Sequence, residues 1–273
     1  MIKYLKLSRI GNVLIAFISV EVSGIMCGAN IGGSLPLLLA AIAASLITAG
    51  GNAINDLYDL DIDRINRPSR PIASGRISPN EAKVFYFLTT ASGIIITCII
   101  NPIVLLIAAV AVMLVFLYSY RFKGIVLLGN VVVAFVTGLA FIYGGASLHN
   151  FRDVYPAAIF AFMTNLIREI IKDAEDLKGD GAIGITTIAT KYGTTVSSVI
   201  SIALTALLLV MTWGAFSLRI LPIQFLAVCA LTILPMAVYI TYLLMSRHGF
   251  SEASFGYKLV MLFGLVALIV GKI

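Results

Sequence analysis

The sequence predicts an all-α membrane protein: about nine transmembrane helices bundled around a central cavity, with the N-terminus cytoplasmic. Three observations carry that expectation. Of 273 residues, 60% are apolar and only 12% are charged, with a mean hydropathy of +1.04; a soluble domain carries about twice that share of charge. The apolar residues fall into long uninterrupted runs, and Lys and Arg gather on alternate connections between them. A water-soluble fold of this length cannot hide so much apolar surface, and disorder requires the opposite composition.

Crossing the hydrocarbon takes about 20 helical residues. Candidate runs lie near 9–28, 35–55, 84–100, 102–120, 125–146, 154–174, 194–216, 220–246 and 255–272. The first follows Lys3, Lys6 and Arg9. It is read as retained rather than as a signal peptide, because no small-residue cleavage site follows it and eight more runs do. The third and fourth are divided only by Asn101-Pro102. All are continuously apolar, whereas barrel strands alternate. The remaining residues suffice for connections alone, so 1–273 is read as a single domain with motif loops at about 52–83 and 165–191.

Orientation follows from the cations. With the N-terminus inside, 16 of the 19 Lys and Arg residues share the cytoplasmic side, and only Arg152, Arg219 and Lys272 lie opposite. The net charge of +6 therefore reports topology and affinity for anionic groups. It leaves no basic soluble surface for nucleic acid, and no protein partner is inferred. Cys27, Cys98 and Cys229 are scattered through apolar runs as small buried hydrophobes. His149 and His248 stand alone in loops, which argues against a zinc site.

The acidic residues are concentrated. Nine of the 13 lie in two short windows at the ends of the second and sixth runs: Asp56, Asp59, Asp61 and Asp63, then Glu169, Asp173, Glu175, Asp176 and Asp180. Carboxylates near membrane depth are costly and serve an ion, a substrate or a proton path. At about 100° per residue, Asn52, Asp56, Asp59 and Asp63 share one helix face, with Asn55 at its edge and Asp61 turned away. Asn165, Glu169, Lys172, Asp173, Asp176 and Asp180 share another, provided Gly179 does not end that helix first. Two such stripes repel unless a cation sits between them. All-oxygen ligation by Asp and Asn suits Mg²⁺, which completes its shell with water and phosphate oxygens. Asn55, Asp56, Asp59, Asp63, Asp173, Asp176 and Asp180 are the candidate metal ligands. Arg64, Arg67, Arg70, Lys123 and Lys172 are the candidate holders of a diphosphate.

The run "NAINDLYDLDIDRINRPSRPIASG" resembles the first signature of the UbiA superfamily of intramembrane prenyltransferases, matching at Asn52, Asn55, Asp56, Asp59 and Asp63. "REIIKDAEDLKGD" resembles the second, at Asp176 and Asp180 with Lys172 and Asp173 upstream. "YSYRFK" resembles the Tyr/Lys element after the fourth span, at Tyr118 and Lys123. The resemblance covers essentially the whole chain. It implies two Mg²⁺ ions bridging the diphosphate of a polyprenyl donor, with Asp56, Asp59, Asp63, Asp176, Asp180 and Lys123 as the catalytic set. Asn12, Asn52 and Tyr118 join the cations above as substrate contacts.

Such a constellation ionises an allylic diphosphate, and an acceptor nucleophile then captures the allylic cation. Tyr58, Tyr118, Tyr120 and Phe122 are candidates to steady that cation. The pairs Gly50-Gly51 and Gly144-Gly145 permit close approach of helices or of the prenyl tail. The chain most resembles the archaeal subgroup whose acceptor is geranylgeranylglyceryl phosphate, a lipid phosphate. Arg9, Arg67, Arg70 and Lys191 are available for its phosphate, and Asn12, in an Arg-x-x-Asn arrangement, is either an acceptor contact or a helix-interface hydrogen bond. Glu21 is a candidate proton acceptor. The alternatives are prenylation of an aromatic acceptor and, in another class, a cation transporter, which would place its acids near the midplane in broken helices. A CDP-alcohol phosphotransferase is excluded, because its Asp-Gly-x-x-Ala-Arg core is missing.

Overall fold

The computed structural model describes residues 2–30, 33–246 and 249–272; the expectations for Arg247 and His248 lie outside the described residues. Among these residues every regular element is helical. Eight helices are long and apolar enough to cross a membrane, and a ninth apolar helix, Ile10–Met26, is 17 residues long. The protein is a multi-pass membrane protein, and its helices coincide with the nine runs read from the sequence.

A short helix α1 (Ile2–Leu7) leads into α2 (Ile10–Met26) through Arg9, whose φ of 50° is left-handed. Next come α3 (Leu35–Tyr58), short α4 (Leu60–Asn66), α5 (Pro79–Ile100) and α6 (Pro102–Tyr120). The starts of α5 and α6 follow from capping. Ser78 and Glu81 form a reciprocal capping box ahead of α5, and Asn101 accepts a hydrogen bond from the Val104 N–H at the start of α6. Each is followed by proline, whose missing N–H costs nothing in a first turn. Asn101-Pro102 thus divides two spans, as read.

The second half runs α7 (Leu128–Ser147), α8 (Tyr155–Glu175), α9 (Leu177–Ala182), α10 (Ile188–Tyr192) and α11 (Thr194–Ser217). It ends with α12 (Ile223–Val228), α13 (Leu234–Met245) and α14 (Phe250–Val270). The run at 220–246 is not one regular helix. A π-turn at Cys229–Ile233 separates α12 from α13, just ahead of Pro235, which has no N–H to give the Leu231 carbonyl.

The two largest of the four apolar clusters among the described residues hold the bundle. Val20, Leu37, Ala40, Val104, Ala108 and Tyr143 join α2, α3, α6 and α7. Ile167, Ile171, Phe225, Ile240, Leu244 and Tyr257 join α8 to the C-terminal helices. Outward-facing Phe87, Ile99, Leu106, Trp213 and Leu231 are exposed, as lipid-facing residues should be. Cys98 is exposed too, correcting its assignment as a buried hydrophobe; Cys229 is buried and Cys27 partly so. The glycine pairs serve packing. A Cβ on Gly50 would strike Thr90 and stand 2.9 Å from Thr89 Oγ1, while one on Gly144 would strike Ser23 and stand 2.9 Å from the Val20 carbonyl oxygen.

Gly144→Ala should therefore wedge α2 from α7 and lower stability by about 1–3 kcal/mol. The check is the thermal unfolding midpoint in detergent, and an unchanged midpoint contradicts the close approach.

Candidate active site

Both acidic windows meet at one end of the bundle, but neither is a single helical stripe. Helix α3 stops at Tyr58 with Asp59 as its C-cap, and α8 stops at Glu175 with Asp176 as its C-cap. The chain turns at each aspartate into a short helix that carries the next one, Asp63 on α4 and Asp180 on α9. The helical projection from the sequence thus fails beyond Asp59 and Asp176. The breaks fold α4 and α9 against each other and aim the windows face to face.

In the first window Asp56 and Asp63 are each only 2% exposed. Asp56 is held by Arg9 and by Arg70 Nη1 at 3.2 Å, and the same Arg70 nitrogen reaches Asp63 at 2.6 Å. Lys123 Nζ donates to Asp59 at 2.6 Å. Ser119 donates to Asn55, and Asn52 donates to the Ser8 carbonyl at 2.8 Å. Burial pushes the Asp63 carboxyl above its ordinary value, against the pull of Arg70.

In the second window Asn165 and Glu169 are buried along α8. Glu169 is shared by Arg168 at 2.7 Å and Lys172 at 3.6 Å, and Asp173 accepts from Asn130 at 3.0 Å. Asp176 pairs with Arg67 at 2.7 Å. Asp180 is 2% exposed with its Oδ1 lacking any hydrogen-bond partner; burial pushes its carboxyl up to about 6. Asn66 links the windows, donating to the Asp176 carbonyl at 3.1 Å and accepting from the Gly179 N–H at 3.1 Å. Glycine is required at 179 because a Cβ there would strike Asn66.

Beneath the carboxylates lies a cavity of about 250 Å³. Its upper wall holds Asn12, Asn52, Asn55, Tyr118 and Lys172, and its floor is apolar, with Ile15, Val115, Val132 and Val136. Gly51 also faces it. Not every candidate joins the site. Arg64 pairs with Asp61 at 2.9 Å, both well exposed, and points away. Tyr58 and Tyr120 form an outward aromatic cluster with Phe116, leaving Tyr118 as the cavity's tyrosine. Lys191 is exposed beside Tyr192.

Several contributors escaped the sequence reading: Asn66, Ser119, Asn130, Arg168 and Lys258. Asn130 and Lys258 are lone polar residues inside apolar runs, a signal that could have exposed them. Ser119 and Asn66 carry none.

Could these residues hold a divalent cation? Among the described residues no three acidic, histidine or cysteine side chains gather tightly enough to bind a metal by themselves; arginines and lysines meet the carboxylates instead. The donor set is nevertheless all oxygen, and the unpartnered, buried Oδ1 of Asp180 calls for a cation. Mg²⁺ binds through one or two carboxylates plus phosphate oxygens and water rather than an all-protein cage. The residues fit it on those terms.

Residues 16–266 match the UbiA prenyltransferase family. The chain is 40% identical to the digeranylgeranylglyceryl phosphate synthase of Methanopyrus kandleri over 208 residues, covering 75% of this chain and 76% of that one. A solved structure described as a digeranylgeranylglyceryl phosphate synthase in membranes superposes with a TM-score of 0.77 at 31% identity, covering 99% and 97% of the two chains. A UbiA homologue from Archaeoglobus fulgidus, bound to geranyl diphosphate (GPP) and Mg²⁺, shares the fold with a TM-score of 0.67 at 20% identity, over 97% and 99%.

Asn66→Ala removes its two bonds across the windows, while the Asp176 carbonyl keeps the Gly179 and Asp180 N–H groups as donors at 3.1 Å. The expected loss is about 1–2 kcal/mol, one net hydrogen bond's worth for each bond lost at most. Thermal unfolding in detergent together with faster proteolysis near residues 177–187 would show it; wild-type behaviour in both would contradict the clasp.

Proposed function

The chain belongs to the UbiA prenyltransferase family, and from that premise we propose that it transfers a geranylgeranyl group from its diphosphate to the hydroxyl of geranylgeranylglyceryl phosphate. The product is an ether lipid precursor of archaeal membranes, and the whole chain is one transferase domain. The observation that carries the reading is the pair of carboxylate windows facing each other, ringed by cations, above an apolar cavity. A transporter's acids belong near the midplane; these lie at helix ends beside arginines, where a phosphate is expected.

The reaction breaks the allylic C–O bond, releases diphosphate and forms a new C–O ether bond, the hydroxyl proton passing to the released diphosphate or to solvent. Asn55, Asp56, Asp59, Asp63, Asp173, Asp176 and Asp180 are the residues that would hold Mg²⁺, as two ions shared between the windows. When bound, Mg²⁺ stabilises the negative charge that develops on the leaving group. Asn52, Arg67, Arg70, Lys123 and Lys172 supply hydrogen bonds and charge around the diphosphate. The cations that now pair with these carboxylates are the groups that would meet the phosphate oxygens. Lys123, bound to Asp59 and following Tyr118 in the chain, is best placed to meet the departing charge.

The apolar floor takes the prenyl tail and keeps water from the cation, while the ring of Tyr118 steadies it. Water exclusion matters because a hydrolysed cation yields only the free alcohol. Sixteen of 19 cations share one side of the topology, which supports an active site opening to the cytoplasm of a multi-pass cell-membrane protein.

Purified protein with Mg²⁺ and labelled geranylgeranyl diphosphate should form product with geranylgeranylglyceryl phosphate and none with 4-hydroxybenzoate. Product from the aromatic acid alone would replace the lipid acceptor while leaving the transferase class intact. Asp59→Ala and Asp176→Ala should each cut turnover by about 10³-fold or more, in line with removal of a residue that acts on the leaving group, with the protein still folded. Wild-type turnover in either would remove the metal-site argument.

A further inference from the structure

A second space lies beside the cavity: a groove of about 570 Å³ between α1, the start of α2, and α14. Its lining is strongly cationic, with Lys6, Arg9, Arg67, Arg70, Arg168, Lys172 and Lys258 against a single acid, Glu175. Arg9, Asn12, Arg168, Lys172 and Lys258 also line the internal cavity, so the two spaces share a wall.

Most of these cations already answer a carboxylate. Arg9 and Arg70 meet Asp56, Arg67 meets Glu175 and Asp176, and Arg168 and Lys172 share Glu169. Among the described residues Lys6 and Lys258 form no ion pair. Lys258 Nζ reaches only Asn12 Oδ1, at 3.4 Å, and lies against Gly11. The Nε of Arg168 is buried without a hydrogen-bond partner. A lysine on a membrane helix beside two arginines, with no carboxylate of its own, is a costly arrangement without an anion. None of the six aspartates assigned to the diphosphate site lines this groove. At its edge Ile2, Leu5, Ile10 and Phe255 are exposed, apolar surface on which a lipid chain can lie.

We propose that this groove seats the phosphate of the acceptor lipid, with Lys258 and Arg168 as its ligands and Lys6 at its outer end. The inference rests on the function proposed above and goes further by naming where acceptor specificity resides. Two cations beyond those paired with carboxylates match a phosphate dianion better than a single carboxylate. Asn12, bonded to Lys258 on the shared wall, keeps the glyceryl hydroxyls beside the cavity in which the allylic cation forms. The acceptor thus enters from the side with its chain toward the bilayer, and the donor occupies the bundle interior.

The test titrates each substrate separately, using purified protein in detergent with Mg²⁺, labelled geranylgeranyl diphosphate and geranylgeranylglyceryl phosphate. Lys258→Gln should raise the acceptor KM about tenfold, the value of one charge-assisted contact. The donor KM and the kcat at saturating acceptor should stay within about twofold, because only ground-state binding of the acceptor is lost. Lys258→Arg should restore most of the acceptor affinity. Lys6→Gln, at an exposed position, should shift the acceptor KM the same way by a smaller factor, and it decides the matter alone if Lys258→Gln does not fold. Geranylgeranylglycerol, which lacks the phosphate, should be a poor acceptor that wild type and Lys258→Gln use equally. An unchanged acceptor KM, or a rise in the donor KM instead, overturns the assignment while wild-type transfer upholds the proposed function. Failure of wild type to use geranylgeranylglyceryl phosphate overturns both.

Discussion

Carboxylates buried at the end of a helix bundle repel one another, and in this protein the repulsion is met by arginine and lysine reaching across from neighbouring segments. Arg9 and Arg70 converge on Asp56, Arg70 also grips Asp63, Lys123 holds Asp59, and Arg67 crosses to Asp176. Removing one partner of such a buried pair costs about 3–5 kcal/mol, because the other charge is then stranded. The same requirement shapes the backbone. α1 is short and turns through a left-handed Arg9, α3 and α8 break at Asp59 and Asp176, and α4 and α9 are joined by Asn66. Each break brings a charge to its partner.

A site balanced in this way is poised for exchange. On the proposed function, its carboxylates would exchange guanidinium for metal and its cations carboxylate for phosphate, so that a charged substrate enters with little net change in buried charge. Asp173 and Asp180 stand apart, since Asp173 accepts from Asn130 rather than from a cation and the Oδ1 of Asp180 has no partner. Both have room for a cation. Apolar walls lie below the charged rim, which on the proposed function separates ionisation at the mouth from the tail beneath.

Much of this was legible in the sequence because membrane helices and spaced acidic motifs leave strong periodic marks. Nine apolar runs coincide with helices, Asn101-Pro102 divides two of them, and the asymmetry of Lys and Arg marks one face. Asn52, Asp56, Asp59, Asp63, Asp176 and Asp180 are found at one end of the bundle as read. What the sequence did not disclose depends on where helices stop. A projection at constant angle assumes continuous helix, and it could not foresee that Asp59 and Asp176 would be caps. Nor could it tell Tyr118, which faces inward, from Tyr58 and Tyr120, which face out; all three sit in equally aromatic surroundings. Arg64 looked equivalent to Arg67 and Arg70, yet it lies on the outer face of α4 and pairs with Asp61. Lys258 is separated from Asn12 by nearly the whole chain, and only the packing of α14 on α2 joins them.

The central claim is that two windows from opposite halves of the chain act as one Mg²⁺–diphosphate site. A double-mutant cycle on Asp63→Asn and Asp180→Asn, read as Mg²⁺-dependent binding of labelled geranylgeranyl diphosphate, tests it most directly. If the windows share the ligand, each single variant should lose nearly all of that binding, and the double variant should lose little more, with a coupling of about 1 kcal/mol or greater. Independent, additive losses would contradict the account and leave two separate acidic clusters in place of one site.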